Sequence, residues 1–149
     1  MTSRTVQIHL NRHCNLACAH CYSQSGPRER EQLDPDDVIR FLDEARAQGY
    51  SNVAFSGGEP FLYPHFETVL DSAEALGMRR LVVTNGTVLM GGRERLIDRF
   101  DMIAVSVDGP EDIHNQLRRS PTAYARMCKG LEMLRVMRSG NDAPFGIAH

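Results

Sequence analysis

Hydrophobic and polar residues change their period several times along this chain, and each change marks an expected element. Val6, Ile8 and Leu10 alternate with Gln7 and His9, so residues 5–11 are expected as a strand with one face buried. From Asp34 the period becomes helical. Asp34 stands as N-cap, Pro35 takes the first helical position, and Asp36 and Asp37 fill the first turn; Val38, Ile39, Leu42 and Ala45 form one apolar face before Gly49. Asn52–Ser56 is a short strand that runs into Gly57-Gly58-Glu59-Pro60. A second helix is expected over 64–76, with Phe66, Val69, Leu70, Ala73 and Leu76 inward and Gly77 as its stop. Residues 81–83 make a third strand ending at Thr84-Asn85-Gly86, and a third helix is expected over 92–100 with Leu96, Ile97 and Phe100 inward. Residues 102–107 are a fourth strand that ends at Asp108-Gly109-Pro110. A fourth helix is expected over 122–138, where Tyr124, Met127, Cys128, Leu131 and Leu134 recur at helical spacing before Gly140. Phe145–Ala148, just after Pro144, begins a fifth strand.

Strands and helices alternate strictly, and the second to fourth strands are apolar on both faces. That pattern argues for an α/β fold of parallel strands with crossover helices. In such folds ligands bind at the carboxyl ends of the strands. The unusual residues of this chain lie in those loops, so four loops are expected to converge on one rim. The link from the first loop to the first helix, Arg28 to Gln32, is expected as a mobile, charged connector.

Composition narrows the classes. A chain of 149 residues is expected to form one domain, 1–149, large enough to bury a core. Its net charge of −2 gives no argument for nucleic acid or an anionic membrane, and its arginines are scattered rather than clustered. The N-terminal apolar run is too short for a signal peptide, and no stretch approaches the roughly 18 apolar residues of a membrane span. A cytoplasmic location follows as the expectation, and there thiols stay reduced.

That bears on Cys14, Cys18 and Cys21, three of only four cysteines, which follow the first strand within eight residues. Thiolates packed so densely bind a soft metal centre or form a disulfide, and a reducing compartment favours the metal. Zinc, with His13 or His20 as fourth ligand, stays open, although structural zinc normally draws two separated pairs. A ferredoxin run would need a cysteine where Ser25 stands. Cys128 falls on the apolar face of a helix and is expected in the core. Three thiolates leave one iron of a four-iron cluster without a protein ligand, and there a substrate or cofactor could bind.

C-x3-C-x2-C followed by an aromatic, here Cys14, Cys18, Cys21 and Tyr22, resembles the radical S-adenosylmethionine (radical SAM) superfamily. Gly57-Gly58-Glu59-Pro60 resembles that family's glycine-rich motif. Ser106-Val107-Asp108-Gly109-Pro110, with Ile113-His114-Asn115 and Arg118, resembles its fourth-strand region in the branch of molybdenum-cofactor, quinone-cofactor and sulfatase maturation enzymes. An aspartate often follows the histidine in those relatives; here it is Asn115. The resemblance implies a [4Fe-4S] cluster on Cys14, Cys18 and Cys21, with S-adenosylmethionine on the fourth iron. One-electron reduction then yields a 5′-deoxyadenosyl radical that abstracts a substrate hydrogen. It also implies that Tyr22 packs near the adenine, and that Gly57 and Gly58 let backbone approach the methionine moiety with Glu59 near its ammonium. Thr84 and Asn85 would line the same rim, and Ser106 would hydrogen-bond the cofactor. Arg118, in competition with Arg119, would pair with the methionine carboxylate as a fork. His114 would orient the loop, and Asp108 is expected to tighten its turn. No catalytic residue is identified.

The implied fold is a (β/α) TIM-like barrel of six units. Against it the chain stops as its fifth strand begins, so a partial barrel of about four units is expected, incomplete at the C-terminus. The implied partners are a flavodoxin- or ferredoxin-like reductant and a peptide or small-molecule substrate such as a cofactor precursor, with neither nucleic acid nor membrane. A non-catalytic iron–sulfur scaffold is the alternative function, and a zinc module a further one.

Overall fold

The computed structural model describes residues 3–91, 94–137 and 145–148. Five strands, β1 (Thr5–His9), β2 (Asn52–Ser56), β3 (Arg79–Thr84), β4 (Met102–Ser106) and β5 (Phe145–Ala148), form one sheet in the order β1-β2-β3-β4-β5. Every neighbouring pair is parallel. The crossovers carry α1 (Pro35–Ala47), α2 (Phe66–Ala75), the short α3 (Glu94–Ile97), and then α4 (Glu111–Arg118) and α5 (Ala123–Met137). The result is the expected partial (β/α) barrel. No helix among the described residues is long and apolar enough to cross a membrane.

Alternation along the strands separates two faces. Ile8, Val53, Phe55, Val82, Ile103 and Val105 are buried and join Val38, Leu42, Val69, Leu70, Ile97 and Met127 in one continuous core between sheet and helices. An aromatic group closes it around Phe66, whose ring lies 5.5 Å from both Phe55 and Phe61 in edge-on contact. The intervening residues, Ala54, Leu81, Val83, Met102, Ala104 and Ser106, keep partial access to solvent. Thus one face is covered by helices and the other forms an open wall.

The helix starts follow local chemistry. Asp34 caps α1 by accepting from Asp36 N–H at 2.9 Å, and Pro35 fills the first turn. Several expected boundaries move. β1 ends at His9, because Asn11 pairs instead with Gln32 in an antiparallel bridge. The Arg28–Gln32 connector is accordingly tied down rather than loose: Arg12 N–H donates to Glu31 O, Leu33 N–H to Leu10 O, and the Arg12 side chain pairs with Glu29 and Glu31. α2 starts at Phe66 rather than 64, and β3 at Arg79 rather than 81. α3 ends at Ile97, where Arg99 and Phe100 continue as turns bonded to Leu96 and Ile97. The expected helix residues Gly92, Arg93 and Arg138, and the expected stop Gly140, lie outside the described residues.

α4 is the element absent from the sequence reading. Pro110 precedes it, Glu111 and Asp112 occupy its first turn, and it ends at Arg119, whose φ is 50°. Its buried residues are His114 and Arg118. Its buried positions are polar, whereas its apolar pair, Ile113 and Leu117, keeps access to solvent, so two apolar residues in eight give a sequence reading too short a period to mark a helix.

Candidate cofactor-binding site

The loops after β1, β2, β3 and β4 meet at one end of the sheet. They enclose a pocket of about 330 Å³ whose wall includes Cys14, Cys18, Cys21, Tyr22, Gly57, Gly58, Thr84, Asn85, Ser106, Asp108 and Arg118. Of the residues that the resemblance places on the cluster or the cofactor, all but Glu59, and Arg119 as the alternative to Arg118, line this one pocket.

Backbone hydrogen bonds fix the cysteine loop on both flanks. Cys14 N–H donates to Gly26 O at 3.2 Å and Ala19 N–H to Leu117 O at 2.8 Å. The loop after β2 is laid directly on it, with Gly58 N–H on Asn11 O at 2.7 Å and Glu59 N–H on His13 O at 2.9 Å. A Cβ on Gly57 would collide with the Asn11 carbonyl, and one on Gly58 with the His13 carbonyl. Gly57 also holds φ at 133°, a region closed to other residues. The glycines therefore bring two protein loops together, while their backbone still faces the pocket.

Glu59 stands apart from the other expected residues. It is fully buried and absent from the pocket wall. Its carboxylate accepts from Thr84 Oγ–H at 2.8 Å, Asn85 N–H at 2.9 Å and Phe61 N–H at 3.3 Å. Those bonds tie it to the end of β3 and the loop that follows, so it joins two rim loops. Asn85 then reaches the cysteine loop, donating to Asn15 Oδ1 at 3.0 Å and standing 3.6 Å from Cys14 Sγ. Asn15 donates in turn to Thr87 Oγ1 at 2.8 Å. Asn15 and Thr87 were missed from sequence, because each looks like an ordinary turn residue.

A second cluster lies at the β4 end. The Arg118 guanidinium clasps Asp108, with Nε donating to Oδ2 at 2.5 Å and Nη2 to Oδ1 at 2.8 Å. Asp108 is therefore the anchor of an ion pair rather than a turn-tightener, and the Arg118 fork expected for a ligand carboxylate is engaged by it. Arg118 Nη1 lies 3.9 Å from Cys18 Sγ. Arg119, the competitor, is exposed at the end of α4 and outside the pocket wall. His114 is buried; its Nδ1 accepts from Asp108 N–H at 3.3 Å, so it does orient the loop. Asn115 joins α4 to α5 through Tyr124 N–H and Pro121 O. Tyr22 is exposed and meets His9 edge-on at 5.6 Å.

The environments of the three thiols differ. Burial pushes the Cys14 thiol up to about 11. Burial also raises Cys18, against the opposing pull of Arg118. At Cys21 burial is outweighed by hydrogen bonds from Ser23 and Ser25, and its thiol falls below the usual range. Burial and Arg118 lower His114 toward the neutral form, while Arg118 holds Asp108 below the usual carboxylate range against its own burial.

All four cysteines are free, and Cys128 packs against the main core. Among the described residues, no three His, Cys, Asp or Glu side chains gather closely enough to hold a single metal ion. Ligands to one zinc must converge to about 2.3 Å for sulfur, whereas thiolates bound to separate irons of a cluster stand further apart. His13 and His20, the expected fourth zinc ligands, face Arg30 at 3.1 Å and Asp108 at 3.5 Å. Three thiols that line the same pocket as Thr84, Asn85, Ser106 and Arg118 fit a multi-iron cluster carrying a polar organic ligand.

The AdoMet-dependent heme synthase of Methanosarcina barkeri is 30% identical over 97% of this chain and 41% of its own length. Streptococcus suis SuiB bound to precursor peptide SuiA matches with a TM-score of 0.77 at 18% identity, over 97% of this chain and 32% of that one. The structure of anSMEcpe with bound AdoMet also gives a TM-score of 0.77 at 18% identity, over 98% of this chain and 44% of that one. These two likenesses establish a shared fold. The chain spans less than half the length of the curated relatives it matches. The family description "Radical SAM superfamily" covers residues 8–141, which take in the cysteine motif and all four rim loops, and the chain belongs to that superfamily.

Proposed function

We propose that residues 1–149 are a single core domain that holds a [4Fe-4S] cluster on Cys14, Cys18 and Cys21 and S-adenosylmethionine against the other rim loops. When bound, that pair supplies a 5′-deoxyadenosyl radical by one-electron reductive cleavage of the sulfonium. The protein's part is positioning and exclusion of water. Gly57 and Gly58 offer backbone groups, Thr84, Asn85 and Ser106 offer short polar side chains, Tyr22 offers a ring at the mouth, and Arg118 offers a cation. Glu59 keeps the β2 and β3 loops in register behind them. Buried thiols must lose protons to bind iron, so loading the site releases protons.

The observation that carries this reading is the convergence of the loops after β2, β3 and β4 on the pocket that contains all three motif cysteines. The substrate is proposed to be a peptide or a cofactor precursor, and likeness to a protein solved with its precursor peptide supports the peptide. A flavodoxin- or ferredoxin-like protein of the cytoplasm is the proposed electron donor.

The test is anaerobic reconstitution with iron and sulfide, then dithionite and S-adenosylmethionine, assaying 5′-deoxyadenosine. Cluster formation with cleavage is expected. Cys18→Ala is expected to abolish cluster formation and Cys128→Ala to leave it intact. A cluster without cleavage would favour an iron–sulfur scaffold, and zinc bound in place of iron would overturn the proposal.

A further inference from the structure

We infer that Asp108 is a positioning residue, holding Arg118 so that one guanidinium nitrogen is reserved for the Cys18 thiolate. This rests on the reading that Cys18 ligates the cluster. Arginine carries its five N–H donors in a rigid plane. The Nε and Nη2 edge is spent on the two Asp108 oxygens, at 2.5 Å and 2.8 Å. That bidentate clasp leaves Nη1 as the free corner, and it stands 3.9 Å from Cys18 Sγ. Arg118 is only 8% exposed, so water competes poorly for that corner.

The clasp is itself held from three sides. Asp108 N–H donates to the buried His114, one helical turn before Arg118 on α4. His20 Nε2 lies 3.5 Å from Asp108 Oδ1, and His20 sits between Cys18 and Cys21 in the loop. Ala19 N–H on Leu117 O ties the cysteine loop to the end of α4. Cys18 and Arg118 are thus clamped together through both backbone and side chains. An unheld arginine would lose most of this through rotamer freedom.

A cationic hydrogen bond to a ligand thiolate favours the more electron-rich state of a cluster, and groups behind the ligands tune such sites. Arg118 therefore favours one-electron reduction, and Asp108 makes that effect possible. The electron comes from the external reductant, and Arg118 supplies a hydrogen bond without transferring its proton.

The experiment is a double-mutant cycle on the reduction potential of the reconstituted full chain, titrated anaerobically and followed by electron paramagnetic resonance. With Asp108 present, Arg118→Gln is expected to make reduction about tenfold less favourable, a fall of about 59 mV for one electron. In an Asp108→Ala background the same change is expected to lose at least half its effect. Equal shifts in both backgrounds, or no shift, would overturn the inference while leaving the cluster reading intact. Failure of the wild-type chain to load iron and sulfide overturns both. If Arg118→Gln does not load, Arg118→Lys takes its place, since one ammonium cannot span Asp108 and Cys18. A potential unchanged in Arg118→Lys would also overturn the inference.

Discussion

Glu59 and Asp108 both stand in loops that leave the carboxyl ends of strands, and both are withdrawn from water, yet their surroundings differ in kind. Glu59 accepts from two backbone N–H groups and a threonine hydroxyl, all at the end of β3, in the loop that follows it or just after Glu59 itself. Asp108 is clasped by a guanidinium, with two histidines beside it. The first arrangement is rigid and local, and it serves to join β2 to β3. The second links β4, α4 and the cysteine loop, and it brings a full positive charge to the edge of the pocket. A carboxylate at the rim is therefore no evidence by itself of ligand contact; its donors decide what it does.

Substitutions can break this comparison, and the largest effect is expected at Glu59. Glu59→Ala strands several buried donors at once, and a loss of about 3 kcal/mol or more is expected in urea unfolding. A loss below about 1 kcal/mol would mean that the two loops are held by other contacts. Gly58→Ala tests the same junction by collision, since the new Cβ meets the His13 carbonyl. A comparable loss is expected there, together with poorer cluster loading, because the backbone that moves also carries Cys14.

Asp108→Asn is expected to cost less, about 2 kcal/mol at pH 7. This effect should depend on pH. Arg118 depresses the folded-state carboxyl below its unfolded value, so the stabilisation is complete above the unfolded pKa of about 3.9 and disappears as pH falls through the folded value. The gap between wild type and Asp108→Asn is therefore expected to close below about pH 4. A gap that persists in acid would place its origin outside the ion pair. The smallest effect belongs to Cys128→Ala, about 1 kcal/mol with no change in bound iron, measured by unfolding and by iron assay.

Much of the fold was open to a sequence reading because buried strands and amphipathic helices repeat apolar residues at periods of two and 3.6. Val6, Ile8 and Leu10, or Phe66, Val69, Leu70 and Ala73, announce their faces without help from the rest of the chain. The same logic failed at α4, whose inward face is His114 and Arg118, and at the Arg28–Gln32 connector, whose charges belong to ion pairs across the chain.

For the site, the sequence alone determined which residues are present: three closely spaced thiols, and the polar and glycine-rich ends of the next three strands. Parallel alternation was enough to send those ends to one rim, because a crossover helix returns each strand in the same direction. What only tertiary structure decided is the direction of each side chain at that rim. Glu59 turns inward to backbone donors, Arg118 turns inward while Arg119 stays out, and Asp108 closes on a cation ten residues away. These choices depend on distances between loops far apart in sequence, which no local period encodes.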